Sequence, residues 1–99
     1  MSQPIINNKF KSGNYDQRKF DISLIIIHFT ETKTFNDALN LLTSLDRKVS
    51  SHYLIDKSGD IFSLVDLDKR AWHAGESMWG NYDDINSRSI GIEIVNSGE

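Results

Sequence analysis

One segment constrains this chain more than any other: Ile22-Ser23-Leu24-Ile25-Ile26-Ile27-His28-Phe29, a near-continuous apolar and β-branched run. Such a run suits a central strand covered on both faces, because a half-exposed strand alternates apolar with polar residues. Upstream, residues 1–20 carry Asn, Gly, Ser and charge without periodicity and read as an extended arm laid on the domain surface. Downstream, Thr34 stands three residues before Asp37 as an approximate capping box. Ala38, Leu41, Leu42 and Leu45 then follow at helical spacing, which predicts an amphipathic helix to about Asp46.

Two further strands are expected in the next stretch. Ser51 to Asp56 alternates, Lys57-Ser58-Gly59-Asp60 supplies turn chemistry, and Ile61 to Val65 resumes as a strand, so the pair predicts a β-hairpin. Asp66 to Lys69 reads as a polar turn, and a long loop is expected from Ala71 to about Arg88. Ser89 to Val95 closes the pattern as a strand with Ile90, Ile92 and Ile94 on one face and Gly91, Glu93 and Val95 on the other. A crossover helix after the first strand implies parallel pairing, and the hairpin adds antiparallel pairing. The fold class is therefore α/β, a mixed central sheet with flanking helices. Sheets of this kind are usually covered on both faces, yet one helix alone is evident. One apolar face is thus expected to lack its cover, a first indication that a C-terminal part of the domain is missing.

Composition narrows the chemistry. Ninety-nine residues, 38% hydrophobic and 25% charged, suit one small domain. A formal charge of -3 with scattered Lys and Arg offers no basic field for a phosphate backbone, so no nucleic-acid partner is expected. No run approaches the roughly 20 apolar residues of a membrane span, and the N-terminus lacks the apolar core of a signal peptide. As written the chain is expected to remain in the cytoplasm, while a mature form of an exported periplasmic or envelope protein would look the same. Without cysteine, His and carboxylates are the strong metal donors left.

Five residues carry candidate chemistry. His28 falls at the carboxyl end of the first strand, where α/β sheets place their ligands; it is either a metal donor or a core histidine satisfied by a carbonyl. Glu93, on the face of its strand opposite the isoleucines, is either a general base in a part-buried site or a solvated side chain. Trp72, His73 and Trp79 can offer flat apolar surfaces and an imidazole to a ligand; the tryptophans could equally plug the end of the sheet. His52, inside the hairpin strand, reads as structural. The three histidines have no short-spaced pair, and no EF-hand loop, phosphate loop or nucleophile elbow is present. Metal-assisted hydrolysis, or binding without chemistry, remains.

Four motifs in order then carry a resemblance: Ile26-Ile27-His28-Phe29-Thr30, Val49-Ser50-Ser51-His52-Tyr53-Leu54-Ile55, Arg70-Ala71-Trp72-His73-Ala74-Gly75 and Ser89-Ile90-Gly91-Ile92-Glu93-Ile94. Together they resemble the zinc-dependent N-acetylmuramoyl-L-alanine amidases, over residues 20–98 or so. The resemblance implies a peptidoglycan-recognition/amidase-like fold, with residues 21–99 as the N-terminal portion of one catalytic domain. It also implies hydrolysis of the amide between N-acetylmuramic acid and the L-alanine of the stem peptide, in peptidoglycan or a muropeptide fragment. His28 matches the first zinc ligand, Glu93 the acid that activates the attacking water, and Trp72, His73 and Trp79 the substrate groove. Where phage and animal relatives have a tyrosine before the histidine matching His52, this chain has Ser51, which leaves proton transfer to Glu93. Family members complete the zinc site downstream of the Glu93 strand with a second histidine and an aspartate or cysteine. A complementing C-terminal segment is therefore expected as a partner, and residues 1–99 alone are expected to hydrolyse little or nothing. The alternative is a non-catalytic peptidoglycan-binding module derived from an amidase.

Overall fold

A computed structural model describes residues 5–74 and 83–96. The apolar run forms β3 (Leu24–Phe29), after two short strands in the arm, β1 (Ile6–Asn7) and β2 (Tyr15–Gln17). Helix α1 (Phe35–Thr43) follows, then β4 (Tyr53–Ile55), β5 (Ile61–Ser63), β6 (Lys69–Ala71), the single turn α2 (Ile85–Arg88) and β7 (Ser89–Ile94). The main sheet has the order β1-β5-β4-β7-β3. β3 and β4 both run parallel to β7, β4 and β5 form the antiparallel hairpin, and β1 adds parallel to β5. The architecture is thus a mixed α/β sheet, as the patterns predict.

The position of β3 differs from expectation. It is an edge strand rather than a central one. Leu24, Ile26 and His28 point to one face, while Ile25, Ile27 and Phe29 point to the other and are 66%, 59% and 60% exposed. Register extends this second face: Ile25, Ile27 and Phe29 stand beside Ile90, Ile92 and Ile94, with Tyr53 and Ile55 next in line. No element among the described residues covers it. Apolar composition states how much burial a strand suits, but the partner that supplies the burial is a tertiary matter.

The opposite face holds the core. Ala38 and Leu42 of α1 pack with Leu54, Leu64 and Val95, bordered by Phe10, Phe35, Leu39, Val49 and Phe62. The helix starts as its capping pattern predicts, with Thr34 Oγ1 accepting from the Asp37 N–H at 3.1 Å. It ends at Thr43, three residues sooner than the periodicity suggests, because the arm takes over its terminal carbonyls. Ser12 Oγ donates to Leu42 O (2.7 Å) and Asn14 Nδ2 donates to Ser44 O (2.7 Å) and Val49 O (3.0 Å). Residues 5–20 bury Ser12 and Asn14 and pair β2 with β6 in a second, antiparallel sheet. The hairpin turn is closed by Gly59 at φ +91°, a conformation that a side chain resists.

Burial predicts opposite responses on the two faces. Ile27→Thr should leave stability within about 0.5 kcal/mol and weaken binding of a hydrophobic dye such as ANS. Leu54→Ala, which opens a cavity under α1, should cost about 2–5 kcal/mol in urea unfolding.

Candidate active site

Parallel pairing of β3 with β7 places His28 and Glu93 as direct Cα partners, near the carboxyl ends of both strands and on the face that carries the core. Adjacent strands are about 4.8 Å apart, so the two side chains rise from one spot. Glu93 is part-buried, its Oε2 has no hydrogen-bond partner among the described residues, and burial pushes its pKa up to about 7. A carboxylate held this way is a proton acceptor near neutral pH.

His73 arrives from the segment after β6. Its backbone N–H and that of Ala74 donate to Asn86 Oδ1 at 3.0 and 2.8 Å, which ties the start of the loop to α2. Arg70 Nε donates to Asp84 Oδ1 at 2.9 Å, and Asp84, in a left-handed conformation, caps α2. The two anchors bring both ends of the loop to β7. The His73 ring meets His28 Nε2 through Nδ1 at 3.1 Å and Ser89 Oγ through Nε2 at 2.9 Å. It lies directly on Gly91, where a Cβ would overlap ring atoms. Burial first, then the neighbouring His28, His52, Arg18 and Arg70, hold His73 down to about 3, so it is neutral at physiological pH.

His52 is fully buried and serves the framework. Its Nδ1 accepts from the Gly91 N–H (3.0 Å), its Nε2 donates to Lys69 O (2.8 Å), and its backbone N–H donates to Gly91 O (3.0 Å). Arg18, in the arm, donates to the carbonyls of Leu67, Asn86, Ser87 and Ser89 and so fastens the arm to α2 and β7. Trp72 is fixed by paired bonds with Ser50, while its indole Nε1 is buried without a partner among the described residues. Trp79 lies outside the described residues.

The structure therefore brings His28, His73 and Glu93 together and leaves His52 beneath them. Sequence reasoning missed Arg18, Asn86 and Ser89, polar residues whose partners are remote in sequence and which carry no spacing signal. Gly91 did carry one: a glycine inside an isoleucine strand marks a close approach. Among the described residues no group of three His, Cys, Asp or Glu side chains is placed to hold a metal ion, so His28 stands as a single donor.

The sequence profile of the N-acetylmuramoyl-L-alanine amidases matches residues 17–99. The chain belongs to this family. It is 39% identical over 84 residues to the N-acetylmuramoyl-L-alanine amidase AmiD of Escherichia coli (strain K12), an alignment that covers 78% of this chain and 29% of AmiD. The crystal structure of a selenomethionine AmpD derivative superposes with TM-score 0.78 at 29% identity, covering 91% of this chain and 61% of that one. The complex of E. coli AmiD with its substrate anhydro-N-acetylmuramic acid-L-Ala-D-gamma-Glu-L-Lys matches with TM-score 0.68 at 39% identity, over 78% of this chain and 32% of the amidase. The chain thus spans under a third of AmiD and about three-fifths of the AmpD structure.

Two outcomes follow from this geometry. Gly91→Ala should expel the His73 ring and cost about 1–3 kcal/mol of stability, with the His73 NMR signals displaced. The titrating groups oppose one another. Burial lowers the pKa of His28, His52 and His73, so the unfolded chain takes up protons first and their contribution is lost as pH falls through 6.5. Glu93 has the reverse sign: raised from 4.5 to about 7, it costs nothing at low pH and its full penalty above pH 7. In a chelating buffer Glu93→Gln should match the parent Tm at pH 4 and exceed it at pH 8. The gain should be about 1 kcal/mol once solvent screening of this part-exposed group is counted. A Tm difference that does not vary with pH would contradict the assignment.

Proposed function

We propose that this chain forms part of a zinc-dependent amidase that hydrolyses the bond between N-acetylmuramic acid and L-alanine in peptidoglycan or a released muropeptide. One observation carries the reading: an imidazole, His28, and a part-buried carboxylate, Glu93, whose Oε2 has no hydrogen-bond partner among the described residues, are register partners at the carboxyl ends of adjacent parallel strands. In this reading His28 gives zinc one nitrogen, and Glu93 accepts a proton from the attacking water and returns it to the leaving amine. Zinc, when bound, polarises the amide carbonyl and lowers the pKa of water.

The described residues offer one donor where a catalytic zinc takes about three protein ligands. The others are assigned to a complementing segment outside the described residues, and the 99-residue chain by itself is expected to bind zinc weakly and to be nearly inactive. Membership of the amidase family and the likeness to an AmiD bound to an anhydro-muropeptide support a muropeptide as substrate. Trp72 and Trp79 are proposed to flank it. His73, with both ring nitrogens engaged inside the protein, meets it through the ring edge.

The test is cleavage of an anhydro-muropeptide, followed by chromatography of the freed peptide, with zinc content measured in parallel. With the complementing segment present, in the same chain or added as a second one, Glu93→Gln should retain zinc and lose about 10²–10⁴-fold in kcat. His28→Ala should lose the zinc itself; unchanged zinc content in that variant would overturn the ligand assignment. The 99 residues alone, supplied with zinc, should give no turnover, and robust turnover would show that no further segment is needed.

A further inference from the structure

We infer that Ser89 and His73 are positioning residues that fix the tautomer of His28 and leave Nδ1 as the nitrogen it presents to a metal. The inference rests on the reading of His28 as a zinc ligand and says which atom binds and what holds it ready.

One group in this chain of bonds has a fixed role. The carbonyl of Ile85 can only accept, and Ser89 Oγ lies 2.7 Å from it, so the hydroxyl proton points there. The same oxygen lies 2.9 Å from His73 Nε2. Having spent its one proton, the hydroxyl must accept, and His73 Nε2 must carry hydrogen. Reversing that bond would leave two oxygens 2.7 Å apart with no proton between them. In a neutral ring the second nitrogen is then a bare acceptor, and His73 Nδ1 faces His28 Nε2 at 3.1 Å. His28 is therefore the donor, with hydrogen on Nε2 and a free lone pair on Nδ1. One direction of donation runs through four groups, from His28 to His73 to Ser89 to the Ile85 carbonyl.

The surroundings hold this chain of bonds in place. Asn86 fixes the His73 backbone through two N–H bonds, and Gly91 opens the space that the ring fills. Ser89 is fully buried at the junction of α2 and β7, so water does not compete for its hydroxyl. A metal bound through His28 Nδ1 leaves every bond of the chain intact, whereas binding through Nε2 would break the bond to His73. Hydrogen bonding to the far nitrogen of a ligating histidine also fixes ring orientation and raises ligand basicity.

The test is a long-range ¹⁵N–¹H correlation spectrum of the ¹⁵N-histidine-labelled, metal-free chain at pH 8, which reads the tautomer of each ring. His73 and His28 should both carry hydrogen on Nε2 alone. Ser89→Ala should turn His73 into a mixture of tautomers and His28 with it, while His52, held by the Gly91 N–H, stays unchanged and reports an intact fold. Hydrogen on His73 Nδ1, alone or with Nε2, would overturn the inference, as would a His28 indifferent to Ser89→Ala. Averaged signals at all three histidines would overturn it together with the fold. Zinc added to the parent chain with its complementing segment present should move His28 Nδ1. Movement at Nε2 would overturn the inference, and no movement at any histidine, with the tautomers as stated, would overturn the zinc reading separately.

Discussion

The parallel ladder between β3 and β7 is the constraint on which the rest depends. Side chains alternate along a strand, so a slip of one residue would send Glu93 to the face of the isoleucines and separate it from His28. The register is held from both sides. Ile90, Ile92 and Ile94 align with Ile25, Ile27 and Phe29 on the apolar face, and Gly91 receives the His73 ring on the other. His52 completes the lock by accepting from the N–H of Gly91 through its side chain and donating to the Gly91 carbonyl through its backbone. Buried polar groups of this kind are costly unless fully paired, and here the pairing specifies a single arrangement of strands.

Around that ladder the chain works as a set of fasteners for a site built on rigid strands. Arg18 ties the arm to α2 and β7, Asn14 ties it to the end of α1, and Arg70 with Asp84 joins the two ends of the loop. The consequence is a carboxylate and an imidazole whose positions are decided by backbone pairing and whose protonation is decided by burial. The uncovered apolar face behind them is the price of this arrangement in the described residues: three large side chains, each more than half exposed, on the strand that carries His28.

Much of this was legible in the residues. The hairpin at Gly59, the helix start at Thr34 and the alternation of β7 follow from turn chemistry, capping and period, all of them local. The placement of β3 at an edge was not legible, because an apolar run reads the same whichever element covers it. Nor was the end of α1, since the groups that terminate it, Ser12 and Asn14, lie some 30 residues upstream. His52 as framework was readable from its place inside a hairpin strand, whereas Ser89, Asn86 and Arg18 gave no signal, their partners being distant in sequence.

The sequence by itself determined the class of fold, the family, and the two residue types that the chemistry needs, because strand period, turn residues and ordered motifs are written in neighbouring positions. Tertiary structure alone decided that His28 and Glu93 stand side by side and that His73 turns its nitrogens inward. It also decided which nitrogen of His28 stays free. Those outcomes depend on strand register and on hydrogen bonds such as His28–His73 and His73–Ser89, 45 and 16 positions apart, and such distances leave no pattern in a chain read one residue at a time.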